Sequence, residues 1–340
     1  MKTVLLSTSA CWNCGDDWIR EGLLEALQLR PDVRQLWWNR GWGIRNEYQN
    51  SLLVNLPLVN YVIMAGTPEW IDKNEDLLRY CIRKRIRIAF LGIGRTGGYI
   101  PERHDKLVRD LVDSGLVEIA IPRDQIAHNL LCHMGFHPTL PLSDPALFLP
   151  PLPAMPDGQV AGERLRDLSI VCWRGIGKAS AVGSFDVPIR GNRKLMSAVL
   201  VKAYKALPSP KMVVVHENRE VRPAEELFGE KVFFSSDPKE LFRFYSRCRY
   251  FVGTRIHGWV AAAIHGAPGY LLYPSPKAAV VETIIKRLGW QKSGVVEYLA
   301  TREFRPVLNL EPPDTSGILE EQRIFRSRCL EAPGLRELMP

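Results

Sequence analysis

The stretch Tyr250-Phe251-Val252-Gly253-Thr254-Arg255-Ile256-His257-Gly258 places two cationic or titratable side chains two positions apart, just after a glycine turn. The apolar run before the turn reads as a strand, and the small residues after it (Ala261, Ala262, Ala263, Gly266) read as a helix. Backbone N–H groups at a helix start favour an anion. A guanidinium adds a planar fork suited to carboxylate or phosphate, and an imidazole adds a proton donor that titrates near neutrality. A small anion held by Gly253, Thr254 and Arg255, with His257 as acid, is the chemistry this spacing suggests. An arginine bridging two domains and a core histidine would give the same spacing, and that reading stays open.

Other strand ends offer further groups. Leu168–Trp173 runs into Arg174-Gly175, so Arg174 is a second cation able to converge on the same anion. Val213-Val214-Val215-His216-Glu217 puts His216 at a strand end, where it is an acid/base candidate or a surface histidine. Asn13-Cys14-Gly15-Asp16-Asp17 lies between a strand and a helix. A carboxylate there can accept a hydroxyl proton, and it can equally complement the helix dipole. Gly92-Ile93-Gly94-Arg95-Thr96-Gly97 has the letters of a dinucleotide fingerprint, but Pro101 follows at once and no acid-tipped strand comes at the usual distance. A loop making a close approach is the expected role. Trp37, Trp38 and Trp42 are read as packing rather than as a sugar platform, and Cys11 and Cys14 as two thiols in a turn.

Alternating strands and amphipathic helices must position these groups. Strands are expected at Thr3–Ser7, Val59–Met64, Arg87–Leu91 and Val117–Ala120, with helices from Asp16, over Asp76–Lys84, over His104–Ser114 and over Arg123–Met134. Six prolines between Leu140 and Gly158 read as a break in the pattern. It restarts with strands at Leu168–Trp173, Met212–His216, Val232–Phe234, Tyr250–Gly253 and Leu271–Tyr273, with helices between them. This is an α/β chain of two Rossmann-like, doubly wound domains facing a cleft. The expected divisions are 1–148, a proline-rich link at 149–163, 164–310, and a tail at 311–340 whose helix packs back on the first domain. A length of 340 residues with 46% apolar and 24% charged residues suits two folded cores. A net charge of +8 favours anionic partners, yet no nucleic-acid module accompanies it, so nucleic acid is not expected. Seven widely spaced cysteines and no apolar run of membrane length point to the cytoplasm.

Taken together, the pieces resemble the polysaccharide pyruvyl transferase family. Thr254-Arg255-Ile256-His257-Gly258, then Gly266-Ala267-Pro268, looks like its signature. Asn13-Cys14-Gly15-Asp16, Arg123-Asp124, Asp144-Pro145-Ala146 and Ile170–Arg174 resemble its other motifs in the same order, from about residue 3 to 290. Where that family often carries a run of glycines, this chain has Ala65-Gly66-Thr67-Pro68. Side chains there narrow a close backbone approach.

The resemblance implies a fold similar to two-domain, GT-B-like glycosyltransferases. It implies phosphoenolpyruvate as a small anionic donor, a sugar or lipid-linked glycan as acceptor, and no metal or cofactor. Under it, Arg255 and Arg174 hold the donor's carboxylate and phosphate, with Thr254 and Gly253 in the same turn and Asn13 and Gly15 facing the acceptor. His257 is the acid, Asp16 the base and His216 a reserve acid. A lipid-linked acceptor would bring the basic surface to an anionic membrane. Two alternatives are a nucleotide-sugar glycosyltransferase, with Glu282 as its ribose-binding carboxylate, and a non-catalytic carbohydrate-binding protein.

Overall fold

The structure is a computed structural model that describes residues 2–8, 14–39, 56–66, 70–94, 101–152, 167–174, 189–272, 278–290 and 311–340. The first unit runs β1 (Thr3–Thr8), α1 (Cys14–Leu27), β2 (Arg34–Asn39), β3 (Tyr61–Gly66), α2 (Trp70–Lys84), β4 (Arg87–Ile93), α3 (Pro101–Ser114), β5 (Val117–Pro122) and α4 (Gln125–His133). Its five strands are all parallel, in the order β2-β1-β3-β4-β5. The second unit runs β6 (Leu168–Cys172), α5 (Ile189–Ala206), β7 (Lys211–Val214), α6 (Val221–Phe228), β8 (Val232–Phe233), α7 (Pro238–Phe244), β9 (Cys248–Gly253), α8 (Ile256–Ile264), β10 (Gly269–Leu271) and α9 (Ala278–Leu288). Its strands are also parallel, ordered β10-β9-β6-β7-β8. Helices α10 (Gly317–Cys329) and α11 (Pro333–Arg336) close the chain.

Parallel strands covered on both faces read as continuous apolar runs, and here they do. Val4, Leu5 and Leu6 of β1, Val62 and Ile63 of β3 and Ile170, Val171 and Cys172 of β6 are fully buried or nearly so. Both sheets have a point where the chain reverses its winding direction. It lies between β1 and β3 in the first and between β6 and β9 in the second. Beyond the carboxyl ends of strands at such points, the flanking loops splay apart and leave a crevice for a ligand.

Helix α1 lies where the two units meet. Trp18, Ile19, Leu23, Ala26 and Leu27 are buried at helical spacing. Trp18 reaches into the second unit, with its ring edge-on to His216, Phe242 and Tyr245 and its indole N–H donating to the Pro238 carbonyl at 2.9 Å. On its other side, α1 packs against a 3-10 turn at Pro145–Phe148, so closely that a Cβ on Gly22 would stand 1.9 Å from the Pro145 carbonyl oxygen. One apolar cluster therefore runs from β1 through α1 to β6, β9 and α8.

Three expectations need correcting. Strand β2 was not anticipated, and the backbones of Trp37 and Trp38 lie in it; their side chains and Trp42 fall outside the described residues. Helix α4 begins at Gln125 rather than Arg123, because the Asp124 carboxylate accepts from Ala127 N at 2.7 Å and caps the helix. The break in pattern expected from Leu140 is not irregular throughout. Its turn at Pro145–Phe148 is buried, with Asp144 as N-cap accepting from Ala146 N at 3.0 Å. Residues 153–166 lie outside the described residues.

Candidate active site

At the second winding reversal, β9 ends at Gly253 beside Cys172 of β6. A Cβ on Gly253 would stand 2.9 Å from the Cys172 carbonyl oxygen, so glycine serves close strand packing here. The chain then turns. Thr254 N donates to Cys172 O, and the Thr254 hydroxyl accepts from Arg174 N at 3.1 Å, tying the two strand ends together. Arg174 is half-buried at this junction; burial raises the Glu220 carboxyl, against the opposing charges of Arg255 and, last, Arg174.

Arg255 and His257 do not converge. Arg255 is the N-cap residue of α8 and His257 its second residue. Arg255 has extended backbone dihedrals and His257 helical ones, and their side chains go to different partners. Arg255 turns inward, where its Nη2 meets Glu217 Oε1 at 2.8 Å and Glu220 Oε1 at 2.5 Å. All three side chains are less than a tenth exposed. Burial disfavours the guanidinium's charge, but the two carboxylates outweigh it and push its pKa further up. Where the spacing suggested a grip on a ligand, Nη2 meets two carboxylates from the loop after β7.

His257 crosses to the first unit. Its Nε2 lies 3.5 Å from Asp144 Oδ2, and the imidazole retains 15% exposure. Asp144 is fully buried, and the same oxygen accepts from Arg123 Nη1 at 2.6 Å. Burial would raise the Asp144 carboxyl, but Arg123 and then His257 hold it well below the ordinary carboxylate range. Gly15, in the first turn of α1, packs on the same imidazole; a Cβ there would stand 2.0 Å from His257 Nδ1. A Cβ on Gly94, at the end of β4, would stand 2.3 Å from Arg123 Nε, and one on Gly92 would stand 2.5 Å from Pro145. These glycines provide clearance for the pair, which is the close approach expected of that loop. Gly97 lies outside the described residues.

The remaining candidates separate. Asp16 is buried in the first turn of α1, near Gly15. Asn13 lies outside the described residues. His216 is buried behind α8, with Nε2 2.8 Å from the Tyr245 hydroxyl and 3.5 Å from Cys172 Sγ. Burial, reinforced by the charges of Arg255 and His257, lowers its pKa well below the ordinary value. Its ring packs edge-on against Trp18 and Tyr245, as deeply enclosed as Asp16. Cys14 is buried, and burial raises its thiol well above the ordinary value, so it lacks the thiolate of a redox cysteine. Cys11 lies outside the described residues, and Glu282 is exposed on α9.

Arg123 and Asp144 were visible only as short motif pieces and carried no expected role. Asp144-Pro145 did hold a signal, since a carboxylate followed by proline is a typical helix-start pair. Glu217 and Glu220 gave none, because their partner Arg255 is more than 30 positions away. Among the described residues, no group of three His, Cys, Asp or Glu could hold a metal ion, and no helix is long and apolar enough to cross a membrane.

Comparison with known proteins adds to this geometry. A family model described as polysaccharide pyruvyl transferase matches residues 13–276. No curated protein matches the chain. Similar solved structures include an S. aureus MnaA–UDP co-structure, at 11% identity and a TM-score of 0.56, covering 100% of this chain and 99% of that one. Another is the Methanocaldococcus jannaschii UDP-GlcNAc 2-epimerase in complex with UDP-GlcNAc and UDP, at 13% identity and a TM-score of 0.50, covering 96% and 99%. At these identities the likeness is one of fold, the GT-B-like pairing of two Rossmann-like units.

Proposed function

Because the chain belongs to the polysaccharide pyruvyl transferase family, we propose that it moves the pyruvyl group of phosphoenolpyruvate onto two hydroxyls of a sugar or lipid-linked glycan. Family membership makes it a glycan-modifying transferase. The donor, the acceptor and the residue roles are our reading. In the reaction, two acceptor oxygens bond to donor C2 as its bond to the phosphate oxygen breaks. One hydroxyl proton ends on the donor methylene, making a methyl group, and the other leaves with phosphate. No oxidant, reductant, metal or cofactor enters that balance.

The observation that carries the reading is the His257–Asp144 pair, formed across the two units by residues within the matched family region. A carboxylate kept anionic by Arg123 fixes the ring's orientation and stabilises positive charge on it, as a proton-transfer group requires. His257 then protonates the methylene or hydrogen-bonds the phosphate. Asp16 is the base for the acceptor hydroxyl. In this reading Arg174 and the N-terminal turns of α1 and α8 supply the attraction for the donor's charges.

The test is incubation with phosphoenolpyruvate and a panel of glycan acceptors, scored by acceptor mass and released phosphate. UDP-GlcNAc is the control donor, since the M. jannaschii neighbour binds it. Ketal-linked pyruvate with matching phosphate is expected. Sugar transfer from UDP-GlcNAc, with no phosphate from phosphoenolpyruvate, would overturn the reading.

A further inference from the structure

We propose that Glu321 is a positioning residue for the His257–Asp144 pair, acting through the backbone of Ser143 from a helix beyond the matched family region; the inference rests on the functional reading above. Helix α10 begins at Gly317, whereas the family match ends at residue 276. The Glu321 side chain is 4% exposed. Its Oε1 accepts from Ser143 N at 2.9 Å, and both carboxylate oxygens accept from Arg287 Nε, at 2.6 and 2.7 Å. Arg287 lies in the last turn of α9, in the second unit. Glu321 therefore links the two units at the junction that His257 and Asp144 also cross.

The two links are adjacent in the chain. Ser143 carries one and Asp144 the other, so a displacement of the Ser143 amide moves the carboxylate facing His257. Asp144 is fully buried and held from both sides, which leaves no slack to absorb such a movement. The same helix supports the imidazole's other neighbour. Arg326 Nη1 donates to Ala26 O at 3.3 Å and Leu27 O at 3.1 Å, the last carbonyls of α1, whose first turn packs Gly15 on His257. A buried carboxylate is costly unless its oxygens are engaged, and here the engagement ties the segment that carries Asp144 to α9 and α10. A misplacement of about 1 Å at a reacting group can cost about 10²-fold in rate, so a brace at this point affects turnover as well as stability.

The test compares full-length variants in two assays: the His257 ring resonance in ring-13C-histidine protein, and turnover of phosphoenolpyruvate. The chain has seven histidines, so a His257→Gln spectrum assigns the signal. Glu321→Ala removes the acceptor, and Glu321→Gln keeps an oxygen for Ser143 N. Glu118→Gln loosens the same C-terminal segment at its far end, because one amide oxygen cannot both accept from Gly334 N and the Tyr61 hydroxyl and meet Arg87 as the two carboxylate oxygens of Glu118 do. Glu321→Ala should move the His257 resonance and lower kcat at least tenfold, with donor KM within threefold of the parent. Glu321→Gln should restore both measures to within threefold. Glu118→Gln should lower Tm and leave the resonance in place. If Glu321→Ala does not fold, Arg287→Lys should give a smaller displacement in the same direction. An unmoved resonance in Glu321→Ala, or an equal displacement in Glu118→Gln, overturns the proposal. If the parent releases no phosphate from the donor, the functional reading fails and the resonance alone decides this one.

Discussion

Gly15→Ala should separate activity from stability. The added methyl would stand 2.0 Å from His257 Nδ1, whereas ordinary contact begins near 3.4 Å, so about 1.4 Å of separation must be found. The backbone of α1 cannot supply it easily, because Gly22 lies against Pro145 and Trp18 is fixed by its contacts in the second unit. The imidazole, at 15% exposure, is the freer partner and must shift from its present alignment with Asp144. Losing about 1 Å of alignment at a reacting group costs about 10²-fold, so kcat should fall about a hundredfold. Stability should change far less. Overpacking costs about 1–3 kcal/mol, while replacing glycine by alanine in a helix returns up to about 1 kcal/mol. The assays are phosphate release at saturating donor and the urea unfolding midpoint, repeated in a His257→Ala background. There the methyl has room, and Gly15→Ala should become stabilising by about 0.5–1 kcal/mol. A Gly15→Ala enzyme with parental kcat, or one equally destabilised in both backgrounds, would refute the reasoning.

Two further outcomes follow from the ion pairs. Asp144→Asn leaves Arg123 buried without its partner and should cost about 3–5 kcal/mol at pH 7, measured by urea unfolding. Because the folded carboxyl is held low, its contribution is complete above the unfolded value of ~3.9 and fades as pH falls toward the folded one. The gap between variant and parent should therefore narrow below pH ~4, and a gap that does not vary with pH would count against the pair. Arg255→Lys should lower stability by about 1–3 kcal/mol, since the shorter lysine stem does not carry its nitrogen to the buried position where Nη2 meets both glutamates. Its donor KM should stay within threefold of the parent; a tenfold rise in KM at unchanged stability would return Arg255 to the donor site.

Much of the fold was legible because parallel strands buried on both faces announce themselves as apolar runs. Thr3–Thr8, Arg87–Ile93 and Leu168–Cys172 all did so. Strand β2 did not, for a physical reason. It is an edge strand of its sheet, and its start, Arg34-Gln35, lacks an apolar run. The Pro145–Phe148 turn was obscured by the prolines in and around it, which signal a break in regular structure and say nothing about burial. Within the site, the type and strand-end position of His257 pointed correctly to the junction. Its partner was out of reach, because nothing in one sequence pairs residue 257 with residue 144. What separates Arg255 from His257 is their partners: Arg255 meets Glu217 and Glu220 behind α8, and His257 faces Asp144 of the first unit.

That separation changes how the site must attract an anion. Arg255 brings one positive charge to two carboxylates, and Arg123 brings one to Asp144, so neither ion cluster offers net positive charge to a donor. Under the proposed reaction, attraction falls to Arg174, to His257 when protonated, and to the helix starts; the α8 N-cap makes no side-chain hydrogen bond to its own first turn. The prebuilt pair at Arg255 does something else. It anchors the strand-to-helix turn from behind, so the helix carrying His257 starts from a fixed point and needs no reorganisation when charge develops. An anchor and a reacting group should therefore respond differently to substitution. Changes behind α8 should appear in the unfolding midpoint, and changes against the imidazole should appear in kcat, even though the two residues are only two positions apart.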